Sequence, residues 1–296
     1  PIFCDINSET INISVKDLEK KLQKNKNIKV VVPVHFAGLA ADMKKIKSLS
    51  KKYNFSVIED AAHALGGKYL DGTKIGNCKY SDMAVFSLHP VKNIAAGEGG
   101  VITTNNRDHY LKLLKFRSHG INKLDDKFKN KDLSKTANFI NPWYYEMQDL
   151  GFNYRLTDFQ CALASSQLQN INLFLNKRKF IANYYDKKFK DFKNLKPCQL
   201  KGRNISSHHI YMILINFKKN KLIKAELMIK LKKLGIITQV HYIPVPFHPI
   251  YHKKNKKLKI PESIKYYERT LTLPIHYLLT RKQQDYIIKN LYELIE

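Results

Sequence analysis

Five side chains in three short segments have the types and spacing to do chemistry. IEDAAHALGG ends an apolar run in Asp60 and carries His63 three residues later. FSLHPVKNIAAGEGG holds Ser87, Lys92 and a turn with Gly97, Gly99 and Gly100. GFNYRLTDFQCAL holds Asn153 ahead of a helical pattern. The default place for any lysine in this chain is the solvated surface. Lys92 differs because Val91 and Ile94 flank it and apolar strands lie on either side. Desolvation disfavours an ammonium, and the neutral amine is then a nucleophile. A carboxylate at the end of a buried strand, as at Asp60, suits a fixed cation such as the protonated ring nitrogen of pyridoxal phosphate. His63 has the reach to bond that ring's phenolic oxygen, and Ser87 to bond a phosphate oxygen. Taken singly, Asp60 reads as a helix cap or loop carboxylate, His63 as a packed or surface histidine, and Asn153 as a turn residue. The glycines allow positive φ and close backbone approach, but they are not a GxGxxG fingerprint.

These residues need a sheet to hold them. IKVVVPVH is a continuous apolar run of the buried parallel-strand kind. Met43, Ile46, Leu49 and Tyr53 then recur at helical spacing, and FSVIED closes a β-α-β unit. MAVFSL and GGVITTN are two further strands, and a helix is expected over 107–116. The first residues, IFCDI, read as a strand already under way, so the sequence is expected to be a fragment. Residues 122–148 are polar and irregular. Thr157 and Gln160 predict a capping box for one long helix running beyond Phe174. Beyond a Lys/Asn-rich stretch the pattern becomes α+β. HHIYMILINF and GIITQVHY read as strands, Leu227, Leu231 and Leu234 line one helix, and Ile287, Leu291 and Leu294 stripe another. Three of the chemical segments fall at strand ends, where open α/β sheets bind ligands.

Composition narrows the function classes. The 296 residues carry a formal charge of +27, from 52 Lys and Arg against 25 Asp and Glu. Only seven of the basic residues are arginine, and the lysines are scattered over most helical patterns. Nucleic-acid readers rely on arginine forks, so the charge is read as compositional bias, with some benefit for anionic substrates. A nucleic-acid partner is not expected. No apolar run is long enough to span a bilayer, and no membrane partner is expected. Cys4, Cys78, Cys161 and Cys198 form no CxxC pair, and fit a reducing cytoplasm better than a disulfide framework. The opening residues do not read as a secretory signal, and none is expected. His241 and His248 lie seven apart, which fits no compact metal motif, and no metal is expected.

IEDAAHALGG, FSLHPVKNIAAGEGG and LGFNYRLTDFQ, in this order, resemble the DegT/DnrJ-type nucleotide-sugar aminotransferases, and the similarity runs over essentially the whole chain. The resemblance implies a fold-type I pyridoxal-phosphate-dependent transferase. Residues 1–190 would form a large mixed-sheet α/β domain with flanking helices, incomplete at its N-terminus. Residues 191–296 would form a small C-terminal α+β domain. Lys92 matches the lysine that holds the cofactor, Asp60 the partner of its ring nitrogen, and His63 the contact to its ring oxygen. Ser87 matches a contact to cofactor or substrate phosphate. Asn153 matches a residue that reaches the cofactor phosphate of a neighbouring subunit, which implies a homodimer with shared active sites. Gln239, Val240, His241 and Tyr242 match a substrate-binding strand. VPVHFAGLAADM, KFRSHGI, NPWYYEMQDLGFNYR and QVHYIPVPFHPIY are similar to the members of pseudaminic acid synthesis. They imply transfer of an amino group from glutamate to C4 of a UDP-linked 4-keto-6-deoxy-N-acetylhexosamine. Members acting on perosamine or bacillosamine precursors share the cofactor motifs, and an inactive truncated paralogue is the other alternative. In a related dehydratase subgroup a histidine replaces the lysine, and here Lys92 is present. Two departures stand out. Family members carry a section ahead of the strand that opens this sequence, with a helix start that cradles the cofactor phosphate. Ala95 and Ala96 stand where relatives often carry threonines.

Overall fold

The computed structural model describes residues 1–123, 128–218, 220 and 222–295. In the first part, α1 (Val15–Lys24) starts where Ser14 accepts the amide hydrogen of Asp17, and it buries Leu18 and Leu22. After β1 (Val30–Val31), α2 (Met43–Tyr53) is capped by Asp42 and buries Met43, Ile46 and Leu49, the residues whose spacing predicts it. Asn54, in the left-handed conformation, ends that helix. β2 (Ser56–Asp60), β3 (Met83–Ser87) and β4 (Gly100–Thr103) complete a sheet of order β1-β2-β3-β4. The first three strands are parallel and β4 is antiparallel. Asp60 pairs with Val85, and Ser87 with Gly100. The carboxyl ends of β2 and β3 and the glycine turn before β4 therefore share one edge of the sheet.

α3 (Arg107–Arg117), β5 (Ile121–Asn122), α4 (Lys131–Ser134), β6 (Lys135–Thr136), β7 (Phe139–Ile140) and β8 (Glu146–Met147) follow as small pieces. β5 pairs with β8 and β6 with β7. The expected long helix is two: α5 (Asp158–Gln169) and α6 (Ile171–Lys188). Asn170 breaks it, turning its amide back onto the carbonyls of Gln167 and Leu168. The capping box of Thr157 and Gln160 is present.

β9 (Leu195–Pro197), β10 (Tyr211–Ile215) and, later in the chain, β11 (Thr270–Leu273) form an antiparallel sheet with β10 central. α7 (Lys224–Lys233), α8 (Pro249–Asn255), α9 (Pro261–Arg269) and α10 (Arg281–Ile295) accompany it. Its core gathers Tyr211, Ile213, Leu227, Leu271 and Leu291, and α6 adds Ile181, Ala182 and Tyr185 to the same cluster. A separate core under the first sheet holds Ile46, Val57, Ala84 and Phe86. Together these make a mixed α/β chain with flanking helices, the expected class.

Two expected strands are reduced to single pairs. GIITQVHY meets β11 only at Gln239 and Thr272, whose amides and carbonyls exchange hydrogen bonds of 3.2 and 2.8 Å. After that pair His241 keeps a side-chain bond to Thr272 Oγ1, Tyr242 turns to His63, and Pro244 and Pro246 offer no amide to continue a ladder. IFCDI is likewise one bridge, Ile6 to Ile13. Asp5 instead accepts hydrogen bonds from the Glu262 and Ser263 amides at the start of α9. In β1 and the residues just after it, Val30, Val32 and Val34 are exposed beside a cavity of about 1140 Å³ that reaches Asp60, His63 and Tyr242. Among the described residues no helix is long and apolar enough to cross a membrane.

Candidate active site

The loop that carries Lys92 is closed at its base by Leu88. The Leu88 amide donates to Gly99 O at 2.9 Å, and the Ala96 amide donates to Leu88 O at 2.9 Å. Leu88, Ile94 and Ala96 are buried together and anchor the loop. Asn93 ties it to the rest of the chain, donating from Nδ2 to the carbonyls of Leu65 at 3.1 Å and Ser207 at 3.4 Å. Lys92 is left half-buried and makes no salt bridge among the described residues. Burial lowers its pKa, against the opposing pull of the Asp60 carboxylate. Asp60 Oδ1 accepts the Ala62 amide at 3.1 Å, which directs the carboxylate at the end of β2.

His63 is buried beside them. Its Nδ1 accepts the Ala37 amide hydrogen at 3.3 Å, and its Nε2 lies 3.3 Å from Tyr242 Oη. An Nδ1 that accepts carries no proton, so the ring is neutral with hydrogen on Nε2. Burial, then the charge of Lys92, then His241, hold its pKa down to about 3, in agreement with that geometry. The imidazole lies among the rings of Phe36, Tyr242 and His209, with the His209 centroid 4.4 Å away.

His209 and Phe36 were not among the candidates from sequence. The signal for His209 was a histidine doublet opening an apolar strand, which invites a polar partner. Its buried Nδ1 has no hydrogen-bond partner, and burial, His63 and Lys92 lower its pKa. His241 bonds Thr272 Oγ1 through Nδ1 at 2.8 Å, and its pKa too is lowered, by burial and by Lys92. Three imidazoles thus sense the charge of Lys92. Tyr266 Oη donates to the carbonyl of His241 at 2.8 Å and fixes this segment.

The structure therefore brings Asp60, His63, Lys92, His241 and Tyr242 together. Ser87 lies on the same sheet edge, where its Oγ accepts the His89 amide at 3.3 Å. Val240 is half-buried and Gln239 exposed at the edge of β11. Asn153 is exposed and pairs with Ser118 through backbone. No hydrogen bond among the described residues joins its side chain to the cluster. The chain just after it does meet the site: a Cβ on Gly99 (φ +139°) would lie 2.6 Å from Leu156. His241 and His248 form no metal site, and no group of metal-ligating side chains occurs among the described residues.

This donor set fits pyridoxal phosphate. A half-buried amine, a carboxylate at a strand end and a flat neutral imidazole lie within electrostatic reach of one another, and His209, packed on that imidazole, keeps a buried ring nitrogen without a partner. A UDP-4-amino-4,6-dideoxy-N-acetyl-beta-L-altrosamine transaminase of Campylobacter jejuni (serotype O:2) is 37% identical over 295 residues, 99% of this chain and 73% of that protein. The solved Helicobacter pylori PseC, an aminotransferase of pseudoaminic acid biosynthesis, superposes with a TM-score of 0.87 at 31% identity. It is matched by 100% of this chain over 73% of its own. The sugar aminotransferase Spr1654 of Streptococcus pneumoniae, described as putative and solved in its PMP form, gives a TM-score of 0.84 at 26% identity, over 99% of this chain and 75% of that one. Residues 1–292 match the sequence model of the DegT/DnrJ/EryC1/StrS aminotransferases. The chain belongs to that family, and its cofactor is pyridoxal 5'-phosphate.

Proposed function

We propose that this chain moves an amino group from glutamate to C4 of a UDP-linked 4-keto-6-deoxy-N-acetylhexosamine, the transfer used in pseudaminic acid synthesis. The similarity to the Campylobacter and Helicobacter enzymes supports that substrate. The observation that carries the reaction class is Lys92, half-buried beside Asp60 and His63 with its amine shifted toward the neutral form. When bound, pyridoxal phosphate supplies an electron sink for the carbanion at the reacting carbon. Lys92 holds the cofactor through Nζ. Once released, its amine takes the proton from the donor's Cα and delivers one at C4 of the acceptor sugar. Asp60 keeps the ring nitrogen protonated. His63 and Tyr242 bound the ring and orient it. Ser87 and Asn153 meet phosphate oxygens, and Gln239, Val240 and His241 line the sugar side.

A homodimer with a shared site belongs to the same reading. Phe139, Trp143, Tyr145, Leu150, Tyr154 and Phe159 are all more than half exposed in the stretch around Asn153. A monomer rarely leaves so much apolar surface in water. A cytoplasmic location accords with four free cysteines. The test is borohydride reduction of the purified chain with pyridoxal phosphate, followed by peptide mass mapping. A phosphopyridoxyl group confined to Lys92 is expected. Adducts scattered over the surface lysines would remove the reading.

A further inference from the structure

A second buried polar group is built on Glu59, the residue before Asp60 on β2. Glu59 and His35 are both fully buried. The Glu59 carboxylate accepts hydrogen bonds from His35 Nε2 at 2.5 Å, from Tyr69 Oη at 2.7 Å and from Ser81 Oγ. Three donors converging on its two oxygens suit the ionised form, which accepts only, so it is a carboxylate. The other nitrogen of His35, Nδ1, accepts the Ala41 amide hydrogen at 3.1 Å. His35 is therefore a neutral ring with hydrogen on Nε2, and its side chain staples the two ends of the loop 35–41.

That loop is strained. Ala37 sits at φ +58°, in the left-handed region that costs a residue with a Cβ about 1–2 kcal/mol. Such a conformation persists only where the surroundings over-determine it. Here Asn12 accepts the Phe36 amide at 2.8 Å, Gln199 donates to Phe36 O at 3.1 Å, and the His209 amide donates to Ala37 O at 3.0 Å. The outcome is an Ala37 amide aimed at Nδ1 of His63.

We propose that Glu59 and His35 are positioning residues for the transaminase site, a role that rests on the function proposed above. They lock the loop that presents Ala37 N–H, and that amide makes His63 a hydrogen-bond donor through Nε2. His63 therefore offers a proton to an oxygen on the ligand side, where Tyr242 Oη now stands, and cannot offer a lone pair.

The test is histidine-selective ¹⁵N NMR of the full chain without cofactor, with the His63 signals assigned by loss in His63→Gln. Wild type is expected to show His63 as the Nε2–H tautomer. His35→Gln can still donate to Glu59 and accept from Ala41, and should keep that tautomer. His35→Phe and Glu59→Leu should lose it, giving mixed tautomers. In the loaded enzyme they should lower kcat by roughly 10- to 100-fold with KM little changed. A wild-type His63 in the Nδ1–H form overturns the proposal, even if both disruptive variants fail to fold. So does an unchanged tautomer in a folded His35→Phe. The tautomer is read without cofactor or substrate, so this result stands apart from the borohydride mapping.

Discussion

Gln160 serves two partners at once: its Oε1 accepts the Thr157 amide at 3.1 Å, and its Nε2 donates to the carbonyl of Glu98 at 3.1 Å. The first bond closes the capping box of α5. The second fastens that helix end to the glycine turn beside Lys92. One side chain thus couples a local helix signal to the geometry of the site.

The two jobs separate by mutation. Gln160→Glu keeps an acceptor for the cap but removes the donor to Glu98. It should leave thermal stability nearly unchanged while cofactor leaves faster in dialysis. Gln160→Ala loses both, and should also cost about 1 kcal/mol in urea denaturation. Equal cofactor retention in all three proteins would remove the coupling.

Asp60 raises the pKa of Lys92 while burial lowers it. Asp60→Asn removes the raising influence, so Lys92 should lose its proton at lower pH. Labelling of Lys92 by an amine-reactive reagent, followed by mass spectrometry without cofactor, should become faster at neutral pH. Turnover should fall by at least roughly a hundredfold, because the ring nitrogen loses its anionic partner. Slower labelling would place the carboxylate elsewhere than beside the amine.

Asn153→Ala should weaken cofactor retention more than it alters folding. Its side chain is exposed and, among the described residues, bonded to nothing that holds the cluster together. Matched measurements of bound cofactor and of melting temperature decide this. Unchanged cofactor content would withdraw the phosphate role.

Asp5 carries a pH-dependent part of the stability. Burial pushes its pKa up, but hydrogen bonds from Ser263, Glu262 and Ile6 outweigh burial and hold it below the ordinary aspartate value. Its contribution is therefore complete above the unfolded-state pKa and drains away as pH falls through the lower folded value. Asp5→Asn should be less stable than wild type near neutrality by about 1–3 kcal/mol. The gap should close as pH falls from about 4 toward 2. Urea midpoints across that range measure it, and a constant gap would assign the loss to packing alone.

Much of this was legible in the sequence because it is local. Thr157 and Gln160 predicted their own capping box, and the stripe Met43, Ile46, Leu49 predicted α2, since both depend on residues within a turn or two. The apolar runs ending at Asp60 and Ser87 announced strands whose ends carry polar groups. Family motifs in the right order were enough to assign the cofactor. Tertiary structure decided what depends on distant partners. GIITQVHY has the composition of a strand, but its backbone pairs with β11 at Gln239 and Thr272, and beyond that His241 reaches Thr272 by its side chain while Tyr242 turns to His63. The protonation of His63 is set by an amide 26 residues away, and that amide is aimed by a carboxylate on the neighbouring strand. Sequence determines which groups can donate, accept or carry charge. Only the packed fold decides which nitrogen keeps its proton, because that depends on burial and on which partner arrives.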